Sequence, residues 1–185
     1  MRIAFSGAQG VGKSTICEQL KNKLISIKPN KNIAVIGNIS RYLIKQYKIN
    51  TDVKSNNEDY YLYIAEYIKR LLNTEADIII NDRTLLDSMA HQLYNNNASS
   101  NYYAMLREIV RWYLRDIDYY FYIPIQFEMD DDGVRYVDNH HQKEIDKMIM
   151  KLLKEFNVEY VVLHGNIENR INIILETIES NNLNE

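Results

Sequence analysis

Cysteine is almost missing from this chain of 185 residues, with Cys17 its single example. An internal disulfide and a cysteine-rich zinc site are therefore excluded. Cys17 stands among Ile16, Leu20, Leu24 and Ile27 at helical spacing, and reads as a packed thiol. Long hydrophobic runs are missing too: nothing approaches the roughly 18 apolar residues that a spanning helix needs. The opening MRIAF is a short apolar run that ends at once in a glycine loop. Neither a targeting segment nor a membrane contact is expected, and a cytosolic, reducing compartment is the default. Excess positive charge is also lacking, since 22 Lys and Arg face 25 Asp and Glu for a net charge of -3. That balance argues against broad electrostatic binding to nucleic acid, although a local basic cleft would not register in a total. Repeats and linkers are absent. The polar patches at 50–59, 95–101 and 129–139 are short enough to be loops within one domain spanning 1–185.

What is present is an ordinary globular composition, 46% hydrophobic and 25% charged, on a chain long enough to bury a core. Apolar runs at 3–6, 32–36, 77–80, 119–123 and 159–163 read as buried strands. Longer segments with helical periodicity lie between them. One carries Ile16, Leu20, Leu24 and Ile27; another Tyr61, Ile64, Ala65, Ile68, Leu71 and Leu72. Further helices run through Leu86, Met89, Ala90 and Leu93, through Leu106, Ile109, Val110 and Tyr113, and through Ile145, Ile149, Leu152 and Phe156. A last one presents Ile167, Ile171, Ile174 and Ile178. Short apolar strands alternating with helices predict a five-stranded parallel sheet covered on both faces, a three-layer α/β/α fold. Such sheets place ligands at the carboxyl ends of their strands.

Directly after the first strand comes Gly7-Ala8-Gln9-Gly10-Val11-Gly12-Lys13-Ser14, followed by Thr15, which fits G-x-x-x-x-G-K-[ST]. Three of the six glycines of the chain fall within six positions here. Backbone N–H groups that turn inward on a triphosphate require small residues and unusual φ values. The helix that starts near Lys13 directs its positive end at the same phosphates. Lys13 would reach the β- and γ-phosphates, and Ser14 would offer a hydroxyl to Mg²⁺. ATP with Mg²⁺ is thus the expected ligand.

A second constellation ends the third strand, where Asn81-Asp82-Arg83 sets an acid beside a base. Asp82 is a candidate for the Mg²⁺ shell or for general base, and it also stands near a favoured helix N-cap position. Arg83 suits an acceptor phosphate or ribose. Asp87 and His91, on the helix that follows, either line an acceptor pocket or form a satisfied polar face.

With GAQGVGKST, NDRTLLDSMAHQL, DGVRYVDNHHQKEID and the late ENR in view, the chain resembles the nucleoside and nucleotide kinase branch of P-loop proteins. It is most similar to the small nicotinamide-riboside-kinase-like ATPase and kinase domains of phages and bacteria. The resemblance implies transfer of a γ-phosphoryl group to a nucleoside, nucleoside monophosphate or related acceptor. It implies a lid at 126–139, with Arg135 moving in on the transferring group. Relatives often carry a carboxylate after the second strand, with an arginine three residues on. Here Arg41 keeps the arginine as a candidate for the acceptor, while Asn38 replaces the acid and cannot act as base.

Other features admit two readings. Arg107, Arg111 and Arg115 repeat every four residues, either as a basic strip for nucleic acid or as a solvated face neutralised by Glu108 and Asp116. Tyr60, Tyr61, Tyr63 and Tyr67 would stack on a base or belong to core and surface. His140-His141 reads as surface, because adjacent helical residues do not face one site. A hydroxyl of DNA or RNA as the acceptor, and a non-kinase nucleotide switch, are the competing functions. The lack of an N-K-x-D segment weakens a guanine-nucleotide switch. Assembly as a homodimer is compatible with all of these.

Overall fold

A computed structural model describes residues 1–50, 55–96, 98–126 and 139–182, with side chains through residue 180. Its five strands are β1 (Arg2–Ser6), β2 (Ile33–Ile36), β3 (Ile78–Asp82), β4 (Tyr119–Tyr122) and β5 (Val161–Val162). They form one sheet in the order β2-β3-β1-β4-β5, and every neighbouring pair is parallel. The helices are α1 (Lys13–Ile27), α2 (Ile39–Tyr47), α3 (Asn57–Asn73), α4 (Leu85–Asn95), α5 (Ser100–Arg115), α6 (Asn139–Glu155) and α7 (Ile167–Asn182).

Strand side chains alternate between two cores, as the period of two requires. Ile3, Phe5, Ile78, Ile80, Phe121 and Ile123 point to one face, where α1 and α7 bring Ile16, Leu20, Leu24, Ile171 and Ile174. The Phe5 and Phe121 rings stack there at 5.5 Å. Cys17 is buried in the same layer, so the packed-thiol reading describes its setting. Ala4, Ile79, Tyr120 and Tyr122 point to the other face, under α3 to α6. The expected three layers are therefore present, with the strands buried on both sides.

Two local expectations change. Helix α2 was not expected, because only Ile39 and Leu43 on it are buried and so short an apolar stripe leaves no clear period. On α3 the buried side is set by Tyr60, Ile64, Tyr67 and Leu71, while Tyr61 and Leu72 of the expected stripe are exposed. The tyrosines decide the rotation. Tyr67 buries its ring and still satisfies its hydroxyl, which bonds the Arg83 carbonyl at 3.1 Å and the Tyr113 hydroxyl at 3.2 Å. The helix starts at a reciprocal capping box between Asn56 and Asp59.

All five strands run the same way, so β1, β3 and β4 present their ends, and α1, α4 and α7 their starts, at one carboxyl edge. Among the described residues no helix is long and apolar enough to cross a membrane.

Neighbouring leucines test the rotation of α3. Leu71 is 1% exposed and Leu72 65% exposed. In urea denaturation Leu71→Ala should cost about 2–5 kcal/mol of stability. Leu72→Ala should stay within about 0.5 kcal/mol of the parent.

Candidate functional site

The loop between β1 and α1 occupies the carboxyl edge at the centre of the sheet. It leaves β1 through Gly7, whose φ is +144° and where a Cβ would lie 2.4 Å from the Ile123 carbonyl oxygen. Only glycine fits so close to another strand's backbone. The Lys13 ammonium folds back into the loop and donates to the carbonyls of Gly7 at 2.6 Å and Ala8 at 2.5 Å. Burial first, and then the Arg83 charge, bring its pKa down to about 7. Lys13 is a desolvated cation poised where a strong anion would restore its full charge.

Ser14, in the first turn of α1, donates its hydroxyl to Asp82 Oδ2 at 2.6 Å. The two residues expected to share a cation are thus in contact, across 68 positions of sequence. The other carboxylate oxygen, Asp82 Oδ1, is buried and has no hydrogen-bond partner. An unpartnered buried carboxylate oxygen beside a hydroxyl is a hard oxygen donor set of the kind Mg²⁺ takes. The β2–α2 turn closes over the same group, for a Cβ on Gly37 would stand 2.9 Å from Asp82 Cβ. Asp82 is not a helix cap. Thr84 caps α4 in a box with Asp87, which leaves the Asp82 carboxylate to the loop.

Asp87 is fully buried beneath the loop. It accepts from the Ser6 hydroxyl, from Gly7 N at 3.3 Å and from Thr84 N at 2.9 Å. Burial raises its pKa, while Lys13 and these donors oppose the rise. Its carboxylate therefore fixes the first amide of the loop; of the two sequence readings, an acceptor pocket or a satisfied polar face, these contacts match the second.

Beyond Asp82, Arg83 is held at φ +80° between β3 and α4. A non-glycine residue in that region costs on the order of 1–3 kcal/mol, and such strain gathers at functional sites. The Tyr67 hydroxyl clamps its carbonyl. Arg83 Nη1 lies 3.3 Å from His91 Nε2. Burial, followed by the charges of Arg83 and His141, holds the His91 imidazole well below its usual pKa and so neutral. Tyr63 sits at the same place, hydrogen-bonded to Ser40, with its phenol pushed up to about 12 mainly by burial. Arg41, in the first turn of α2, is exposed at this edge. Asn38 precedes that helix at φ 57°, a conformation that asparagine tolerates better than most residues.

Several expectations take other places. Arg135, with residues 127–138 of the suggested lid, lies outside the described residues. His141 is not surface: its ring lies 5.8 Å from His91 and 4.8 Å from Tyr94. The arginine strip on α5 is partly neutralised, with Arg107 paired to Glu155 and Arg111 to Glu108. Helix α5 ends at Arg115, just before β4, so the strip runs toward the amino edge and away from the loop. Sequence reasoning also missed two residues. Gln142 donates to the Gln9 carbonyl at 2.7 Å and Arg170 to the Val11 carbonyl at 3.1 Å, from 133 and 159 positions away. The ENR triplet, now in the first turn of α7, was the only signal for Arg170, and Gln142 lay in the DGVRYVDNHHQKEID segment with no role assigned to it.

Lys13 gives a test of this electrostatic setting. Its folded pKa of about 7 is below the ordinary lysine value of 10.5, so between these values the unfolded chain binds the extra proton. Its contribution should therefore make the protein more stable as pH rises through that window. Urea titrations at several pH values should show the parent gaining on Lys13→Met from pH 7 toward 10.5; a flat difference would contradict the burial of this charge.

Residues 2–170 match the sequence model of a family described as AAA domain. A thymidylate kinase of Campylobacter fetus subsp. fetus (strain 82-40) is 28% identical over 105 residues, covering 53% of each chain. The chain thus spans about half the length of this curated relative. Among solved structures, the NadR protein in complex with NAD and AMP-PNP superposes with a TM-score of 0.71 at 16% identity, over 97% of this chain and 48% of that one. Deoxyadenosine kinase from M. mycoides gives 0.64 at 18% identity, over 97% of this chain and 99% of that one. At these identities the structures share a fold with the chain, the α/β fold of P-loop kinases.

Proposed function

The chain belongs to the AAA domain family, and from that premise we propose that it is an ATP-dependent kinase acting on a nucleoside, nucleoside monophosphate or related acceptor. The observation that carries the reading is the contact of Ser14 with Asp82, with Asp82 Oδ1 left unpartnered at the mouth of the loop. The similarity to a thymidylate kinase supports the same reaction class.

In this reading Gly7, Ala8, Gln9, Gly10, Val11 and Gly12 surround the donor phosphates with backbone amides, and Thr15 follows on the helix that points at them. Ser14 and Asp82 would hold Mg²⁺, which supplies neutralisation of the charge that develops as the γ-phosphoryl group leaves. Lys13 exchanges its two loop carbonyls for phosphate oxygens and becomes a full cation there. A bond forms between an acceptor oxygen and the γ-phosphorus while the bond to the β-phosphate oxygen breaks, giving ADP and a phosphorylated acceptor. Such transfer depends mainly on positioning and charge, so a neutral Asn38 is no obstacle. Asp82 is the carboxylate that would take the acceptor proton. Arg83, beside neutral His91, orients the acceptor, with Arg41 at the rim and Tyr63 and Ser40 forming the wall.

The test is incubation with γ-labelled ATP and Mg²⁺ across panels of nucleosides, nucleoside monophosphates and single- and double-stranded DNA. Label should move to a small acceptor. Label on polymer, or free phosphate alone, would refute the reading. Asp82→Asn should lower kcat by about 10²-fold or more. Arg83→Ala should raise KM for the acceptor and leave KM for ATP unchanged; equal loss of both would refute its assignment.

A further inference from the structure

Backbone amides can face a phosphate only if the carbonyls of the same peptides face away, and a buried outward carbonyl needs a donor. Two such carbonyls on this loop are met by buried side chains from the far half of the chain. Gln142, at the start of α6 and 1% exposed, gives Nε2 to Gln9 O at 2.7 Å. Arg170, in the first turn of α7 and 5% exposed, gives Nη1 to Val11 O at 3.1 Å and Nη2 to Gln126 Oε1.

The peptides concerned are Gln9–Gly10 and Val11–Gly12. Their N–H groups belong to the two loop glycines at φ +80° and +93°. A donor on the carbonyl of a peptide polarises it and strengthens the N–H on its other side, because hydrogen bonds in a chain reinforce one another. Arg170 adds a full charge. Among the described residues it pairs with no carboxylate, and its Nε is buried without a partner. Its Nη1 would lie 3.8 Å from a Cβ built on Gly12, so this charge borders the loop directly. A buried cation with no carboxylate against it among the described residues is costly, and a bound polyphosphate is an anion that would offset it.

We propose that Gln142 and Arg170 are positioning residues that brace the outer side of the phosphate loop and strengthen its amides toward polyphosphate. The proposal rests on the reading of the loop as a nucleoside triphosphate site.

Equilibrium dialysis on the full chain tests it with two probes, Mg²⁺·AMP-PNP and inorganic tripolyphosphate. Arg170→Met should weaken both by the same factor, on the order of tenfold or more, since hydrogen bonds to charged groups are the strong ones. Arg170→Lys should recover part of the loss, and Gln142→Leu should show a smaller loss. A lowered thermal midpoint with unchanged affinities would mean a purely structural role and overturn the proposal. Loss for AMP-PNP alone would overturn it too, by placing the effect at the base. Should Arg170→Met fail to fold by circular dichroism, Arg170→Lys and Gln142→Leu decide, and parental affinity in both would refute the brace. A folded parent that takes up neither probe would sink the functional reading itself, whereas normal uptake by parent and variants would sink only the brace.

Discussion

The hydrogen bond from Ser14 to Asp82 ties the two parts of this site together at its open edge. Ser14 belongs to the loop and helix that follow β1, and Asp82 to the end of β3, and their contact at 2.6 Å fixes the phosphate loop against the carboxyl end of β3. It exists because β1 and β3 are adjacent and parallel, with Phe5 level with Asp82 in the ladder. Sheet alternation then turns Asp82 toward the face that α1 covers. Gly37 leaves room for it, and Thr84 relieves it of capping duty. The rest of the site is arranged around that contact.

Beneath and outside the loop, buried polar groups carry out complementary tasks. Asp87 draws the first amide of the loop downward, while Gln142 and Arg170 draw its later carbonyls outward. Four separate elements, β1, α4, α6 and α7, therefore converge on one turn of backbone. A loop held in this way loses little freedom when a ligand arrives, which is how preorganised donors stabilise charge. The cost is carried locally, in the positive φ of Arg83 and in the buried charge of Arg170, which meets no carboxylate among the described residues.

Much of this was legible in the sequence, and the boundary is physical. Strands and most helices were visible because their side-chain periods repeat over many residues. The glycine spacing around Lys13 announced the loop, and an acid at a strand's end announced Asp82. Helix α2 was not visible, since only two of its side chains reach the core. The face of α3 was misplaced because buried tyrosines carry polar hydroxyls, and Tyr67 reads as ambiguous until its partners are known. Asp87 was left open between an acceptor pocket and a satisfied polar face because nothing local reveals that Ser6, 81 positions earlier, bonds to it. Gln142 and Arg170 are the extreme case: their roles rest on contacts across most of the chain, which no local pattern encodes.

The central claim is that Ser14 and Asp82 form a cation site that the loop's nucleotide shares. Its most direct measurement is calorimetric titration of ATP into the parent and into Asp82→Asn over a range of Mg²⁺ concentrations. The account predicts that ATP affinity rises with Mg²⁺ in the parent, and that Asp82→Asn keeps its metal-free affinity and loses most of that rise. An unchanged Mg²⁺ dependence in Asp82→Asn would contradict it.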